Sequence, residues 1–194
     1  MGQPWRDDPL LQGCFHPNYP DDLQVIVHEG GPRLAATPPE LMWVRIEGVH
    51  PTEPHDEPAS EHDGAPPRTV YRGTLLNTPH RLPTLTKGAT ILLMAVKGSP
   101  HPIRTTERYL GERPEYEVIA CEKCGLNELF DPPSALVAKV FPDLPEGTVL
   151  ERFTSFCPLC RGAQQVVAKN ARSSVPEPES DPARTQPPRR WWAR

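Results

Sequence analysis

The chain has 194 residues, enough for one domain of about 150 residues or two small ones with tails, and a net charge of −4 with a pI near 6.0. Its 37% hydrophobic content is low, and its 27 prolines are roughly three times the usual share, ten of them in two polar stretches, 48–68 and 170–194, so the folded part is smaller than the length suggests. The acidic balance argues against general attraction to nucleic acid or anionic lipid, and the apolar run 89–96 is too short for a bilayer, which needs about 20 residues.

Residues 1–8 lack the apolar core of a signal peptide, and Arg6 stands where a myristoylation motif after Gly2 wants Ser or Thr. A soluble cytoplasmic protein is the expectation. Four cysteines in metal-ligand spacing, with Cys14 alone, fit a reducing compartment better than a disulfide framework.

Residues 1–22 are turn-rich and predict an irregular segment in which Phe15 and Tyr19 pack onto the body. Cys14 and His16 are candidates for metal ligation or for a nucleophile–base pair, but nothing in the sequence supplies the third group that orients such a pair. A strand is predicted over 23–28, closed by the turn Glu29-Gly30-Gly31-Pro32. A second runs over 41–47, with Met42, Val44 and Ile46 on one face and Leu41, Trp43 and Arg45 on the other.

Residues 48–68 turn acidic and proline-rich and predict a disordered loop. Its His50, His55 and His62 lie among carboxylates, but no regular element fixes their spacing for a metal. Strand signals return at 69–76, followed by the turn Asn77-Thr78-Pro79-His80 and a strand from Ala89. Short strands at this spacing predict a mainly β fold with short helices, built on a small antiparallel sheet or barrel.

The runs Met42-Trp43-Val44-Arg45-Ile46-Glu47, Tyr71-Arg72-Gly73-Thr74-Leu75-Leu76-Asn77-Thr78-Pro79 and Leu85-Thr86-Lys87-Gly88-Ala89-Thr90-Ile91 resemble a small bacterial β domain of unknown function. The resemblance covers roughly residues 40–96 and implies a fold without a chemistry. Asn77 and His80 sit on a turn, where functional residues are common, although Asn also suits turn geometry by itself. His28 and His101 gain no role from their surroundings.

A helical turn is predicted over 105–110, capped by Thr and stopped by Gly111 and Pro114. A strand over 115–120 then delivers the chain to Cys121-Glu122-Lys123-Cys124-Gly125, which Cys157-Pro158-Leu159-Cys160 answers farther on. Two Cys-x-x-Cys pairs supply four thiolates to one tetrahedral ion, so Cys121, Cys124, Cys157 and Cys160 are the predicted metal ligands. Buried or disulfide-linked cysteines are the plainer alternative.

Gly125 suits the left-handed backbone such a turn needs, whereas Gly162 lies one position later in the second knuckle. Lys123 and Arg161 are placed to offset the thiolate charge. Four thiolates close the coordination sphere, which points to a structural ion and to no catalytic residue. A short helix over 135–141 with Ser134 as N-cap, a strand over 148–156 and a strand over 163–168 complete the module.

Strand, knuckle, helical insertion, strand, knuckle and strand in this order resemble the zinc-ribbon family. Cys124-Gly125, Asp131-Pro132, Phe141-Pro142-Asp143-Leu144-Pro145 and Cys157-Pro158-Leu159-Cys160 also resemble rubredoxins, which hold one iron in the same geometry. Where rubredoxins place aromatics after the first knuckle and a Trp before the second, this chain has Leu126, Asn127 and Thr154-Ser155-Phe156. Zinc is therefore expected over iron.

Four regions result: an irregular 1–22, a β domain over 23–104, a zinc-ribbon-like module over 105–169 and a disordered tail over 170–194 ending in Arg189-Arg190-Trp191-Trp192. The expected function is a non-catalytic binding or adaptor module whose partner is another protein. An iron electron carrier and a nucleic-acid-binding ribbon are the alternatives, the latter disfavoured by the lack of a basic stripe.

Overall fold

The computed structural model describes residues 3–51, 69–145 and 147–170. Most of the acidic stretch, with His55 and His62, and the tail with Trp191 and Trp192 lie outside the described residues. Among the described residues, no helix is long and apolar enough to cross a membrane.

The fold is mainly β with two short helices. Strands β1 (Phe15–His16), β2 (Tyr19–Val27), β3 (Glu40–Val49), β4 (Val70–Leu75), β5 (Thr90–Met94) and β6 (Ile103–Thr105) form one antiparallel meander in chain order. β6 then lies parallel beside β2, with Ile26 opposite Ile103 and Ile26 N–H donating to the Pro102 carbonyl at 2.8 Å. Strands β2 to β6 thus close into a five-stranded barrel, and β1 is a short flap on β2.

The predicted faces of β3 hold: Met42, Val44 and Ile46 are buried inside the barrel with Leu23, Val25, Val27, Tyr71, Leu75, Ile91 and Leu93. β2 begins at Tyr19 rather than at the expected Leu23. Asp21 and Asp22 look like turn residues in sequence, but cations hold them in the strand. Arg45 forks onto Asp22 at 2.7 and 3.0 Å directly across the β2–β3 pair, and Trp5 and Arg6 reach Asp21. The first segment is accordingly more ordered than predicted, with Trp5 and Leu11 buried in the barrel core. β6 has only three residues, too few for a period to show in sequence.

Helix α1 (Glu107–Glu112) is capped as expected, Thr106 accepting from Tyr109 N–H at 3.2 Å. It continues through Gly111 into a 3-10 turn, Arg113–Glu115, where Pro114 is tolerated because its missing N–H is not needed in a first turn. Strands β7 (Tyr116–Val118), β8 (Arg152–Phe156) and β9 (Ala163–Ala168) form a second antiparallel sheet in the order β7-β9-β8. Helix α2 (Pro133–Val140) lies in the insertion between the knuckles. Its N-cap is Pro132 and not Ser134: Ser134 sits inside the first turn, and its N–H and hydroxyl both go to Glu112 of α1, at 2.9 and 2.5 Å. A neighbouring helix therefore satisfies a donor that a local cap would otherwise take.

One hydrophobic cluster joins the two sheets. Ile26, Val70, Met94 and Ile103 point out of the barrel and pack with Val118, Leu126, Leu129, Phe130, Leu136, Phe153 and Val166. This explains the unbroken apolar run of β2, which is buried on both faces, unlike the one-sided alternation of β3.

The contact is fixed at the turn after β2. The His28 ring stacks on Phe130 with centroids 4.0 Å apart, and Gly31 N–H donates to Asp131 Oδ2 at 2.8 Å. A Cβ at Gly30 or Gly31 would come within 2.8 Å of the Asp131 carboxylate, so both glycines serve close approach. His28 accepts from Gly30 N–H at Nδ1 (3.1 Å) and donates from Nε2 to the Arg104 carbonyl (2.7 Å), which requires the neutral ring.

Burial pushes the His28 pKa down to about 3 from 6.5. Below pH 6.5 the unfolded chain takes up a proton that the folded chain refuses. The histidine's stabilising contribution is therefore complete above about pH 6.5 and is lost as the pH falls toward 3, with a slope approaching about 1.4 kcal/mol per pH unit. Asp131, whose pKa burial raises despite the Gly31 N–H, contributes with the opposite sign. Denaturant unfolding of wild type and His28→Gln cancels that shared term, and wild type should lose stability more steeply between about pH 6.5 and 4.5. Parallel slopes would remove His28 as the source.

Candidate metal centre

Two strands deliver the cysteines. β7 ends at Val118, Ile119 N–H donates to the Gln165 carbonyl at 2.8 Å, and the chain turns at Cys121; β8 runs directly into Cys157. The knuckles repeat each other bond for bond. Cys121 N–H donates to Leu126 O (2.8 Å) and Gly125 N–H to Cys121 O (2.7 Å); Cys157 N–H donates to Gly162 O (2.6 Å) and Arg161 N–H to Cys157 O (2.9 Å).

Position by position, Gly125 therefore matches Arg161 and Leu126 matches Gly162. Both residues of the first match have left-handed backbone, Gly125 at φ 76 and Arg161 at φ 60, and Arg161 is the one non-glycine with positive φ among the described residues. The glycine expected there stands at 162 for a steric reason. A Cβ on Gly162 would lie 2.8 Å from Cys121 Sγ and 3.3 Å from Cys160 Sγ.

The four sulfurs lie within 4.8 Å of one another, with Cys121 and Cys160 3.5 Å apart and Cys124 and Cys157 3.4 Å apart. A tetrahedral ion with metal–sulfur bonds of about 2.3 Å requires sulfurs roughly 3.7 Å apart, so the donor set fits one such ion. Cys121 and Cys157 are buried, Cys160 is half-buried and Cys124 is exposed.

The Gly162 N–H, 3.4 Å from Cys160 Sγ, holds that thiol down to about pKa 7, whereas burial pushes Cys157 up to about 12. A metal entering the site must displace the Cys157 proton, so uptake releases acid and weakens as the pH falls.

Buried polar groups brace the knuckles. Gln164 of β9 donates from Nε2 to the Leu126 carbonyl at 2.7 Å and ties the first knuckle to the strand leaving the second. Just beyond, the fully buried Glu128 accepts from Tyr109 Oη and from Arg113 Nε (2.6 Å), and Arg113 also donates to the Tyr116 carbonyl (2.5 Å). Burial opposes the Arg113 charge, but Glu128 and Tyr109 outweigh it and hold the pKa above its ordinary value. On the barrel side, a Cβ on Gly98 would lie 3.0 Å from the Gly125 carbonyl, so the loop after β5 packs against the first knuckle. Arg33 stacks on Phe156 at 4.1 Å beside the second. None of these partners had a short-range signal in sequence.

Lys123 and Arg161 are exposed at the knuckle tips. The remaining candidates lie elsewhere in separate roles. Cys14 is buried with Sγ 3.7 Å from the Pro100 carbonyl, and burial raises its pKa. His16 accepts from Asn18 N–H and packs against the Tyr19 and Trp43 rings. Asn77 Oδ1 accepts from Trp43 N–H at 2.9 Å, a turn side chain closing the end of β3. His80 offers its backbone N–H to Glu40, and the His101 carbonyl accepts from Ser99. His50 Nε2 lies 3.2 Å from Glu107.

No protein-family model, curated protein or solved structure matches the chain.

Replacing Arg161 by glycine should raise unfolding stability by about 1 kcal/mol, because the left-handed backbone ceases to be strained. Gly162→Ala should weaken metal affinity roughly tenfold by crowding two sulfurs. Denaturant titration and competition against a chromophoric chelator measure the two effects; a neutral Gly162→Ala would mean the sulfurs relax freely.

Proposed function

We propose that this is a metal-binding protein whose Cys121, Cys124, Cys157 and Cys160 hold one structural zinc ion in a zinc-ribbon-like module. The carrying observation is the approach of four thiols to within 4.8 Å on two knuckles of matching geometry. Among the described residues no His, Asp or Glu joins this group, and a closed four-sulfur sphere leaves no position for substrate or water. The ion's contribution is then to folding, on the order of 10 kcal/mol for a structural zinc.

The protein as a whole is proposed to be a non-catalytic binding or adaptor module. The barrel, whose strands run from Tyr19 to Thr105, and the ribbon-like module that follows form its body, and another protein is its partner. The net charge of −4 disfavours nucleic acid in that place. Five free thiols, four of them converging, suit the reducing cytoplasm. An iron electron carrier is the second reading, since iron accepts the same four sulfurs. The non-aromatic Leu126 and Asn127 after the first knuckle, and the exposed Thr154 near the second, speak for zinc.

Element analysis of freshly purified protein should give one zinc per chain in a colourless solution. Chelation under reducing conditions should then lower stability by several kcal/mol, with loss of the ribbon strands in far-UV spectra. A red protein with visible absorption would replace zinc by iron, and a metal-free protein would overturn both readings.

A further inference from the structure

Each knuckle presents one accessible cysteine and one enclosed one. Cys124 is exposed and Cys160 half-buried, while Cys121 is 2% and Cys157 0% exposed. Two close sulfur contacts run between the knuckles and join unlike members: accessible Cys160 meets enclosed Cys121 at 3.5 Å, and accessible Cys124 meets enclosed Cys157 at 3.4 Å. An oxidant arriving from solvent thus meets a sulfur whose neighbour across the gap is shielded from that oxidant. This is the arrangement of an attacked thiol and a resolving thiol.

We propose that the centre is a peroxide-oxidisable site that closes into two disulfides between the knuckles, Cys121–Cys160 and Cys124–Cys157, and so releases its metal without opening the ribbon. The proposal rests on the metal-binding reading for the release step and on the sulfur geometry alone for the pairing. In the first step the Cys160 thiolate attacks one oxygen of hydrogen peroxide. The O–O bond breaks, Cys160 becomes a sulfenic acid and hydroxide leaves. The Cys121 thiolate then attacks the Cys160 sulfur, the S–S bond forms, the S–O bond breaks and a second hydroxide leaves.

Two protons returned by the buffer, equal to those the thiols gave up on ionising, neutralise the hydroxides, and the two electrons given up by the sulfurs reduce one peroxide to two waters. A second peroxide converts Cys124 and Cys157 in the same way. Each disulfide takes up two of the thiolates that would hold an ion, so a bound ion would be released while covalent bonds joined the two chain turns. Cys14, enclosed against the Pro100 carbonyl on the barrel side, stays outside the reaction.

The test treats the full-length, zinc-loaded protein with hydrogen peroxide and follows free zinc with a chromophoric chelator, free thiols by titration and disulfides by peptide mass mapping. Trypsin cuts after Lys123 and chymotrypsin after Leu159, so the two digests together separate all four cysteines. The expected result is release of the bound zinc, loss of four of the five thiols, the two inter-knuckle disulfides and retained far-UV strand signal, all reversed by dithiothreitol and zinc. Disulfides within the knuckles, Cys121–Cys124 and Cys157–Cys160, would overturn the proposal, as would sulfinic acids without disulfides or zinc retained with its thiols intact. Should the purified protein bind no metal, the structural-zinc reading fails by itself. Mapping the reduced, metal-free chain after peroxide still decides the pairing.

Discussion

Four sulfur atoms held within 4.8 Å of one another set the terms for the second half of this chain. Two unit charges 4 Å apart interact by about 4 kcal/mol at an effective dielectric of 20, so four thiolates at this spacing repel strongly unless a cation stands among them. Burial acts in the same direction at Cys157, pushing its thiol up to about 12. The two knuckles share one backbone geometry. Both close with matching N–H donors, and Arg161 accepts a left-handed backbone that its side chain disfavours. Local strain of this kind persists when the surroundings impose it, here by pinning the turn between β8 and β9.

The barrel gives the ribbon its floor. β2 carries the arrangement, because Leu23, Val25 and Val27 fill the barrel while Ile26 points the other way into the shared cluster. The turn that follows holds no bulky anchor of its own. Gly30 and Gly31 clear a space into which the insertion places Asp131, and His28 stacks on Phe130 beside it. A buried carboxylate with a backbone donor and a buried neutral histidine with both nitrogens engaged are costly to uncouple, since each would leave a polar group unsatisfied away from water.

What the sequence disclosed follows the range of the forces involved. The Cys-x-x-Cys knuckles and the two faces of β3 were legible because their information lies within a few residues. The Thr106 cap and the strand β9 were legible for the same reason. The start of β2 was misread because Asp21 and Asp22 owe their strand conformation to Arg6 and Arg45, partners distant in sequence. Ser134 was misread as a cap because Glu112 reaches it from another helix. The joint between Gly31 and Asp131 spans a separation of 100 residues and has no local pattern. At Gly162 the residue was visible but its reason was not: the constraint is a sulfur from the opposite knuckle and not the backbone of its own.

These separations also bear on how the module behaves as a body. The bonds that dock the insertion onto the barrel run through His28, Gly31, Phe130 and Asp131, and none of them involves sulfur. Gln164 and the Glu128–Arg113–Tyr109 network hold the chain just beyond the first knuckle, again without a thiol. The state of the four cysteines therefore acts first on the knuckle tips, where Cys124 is exposed and Gly125, Arg161 and Gly162 set the turns. Core contacts from Val118 through Phe153 to Val166 lie behind these braces. Separating the two turns would expose Cys157 and the apolar wall beneath it to water.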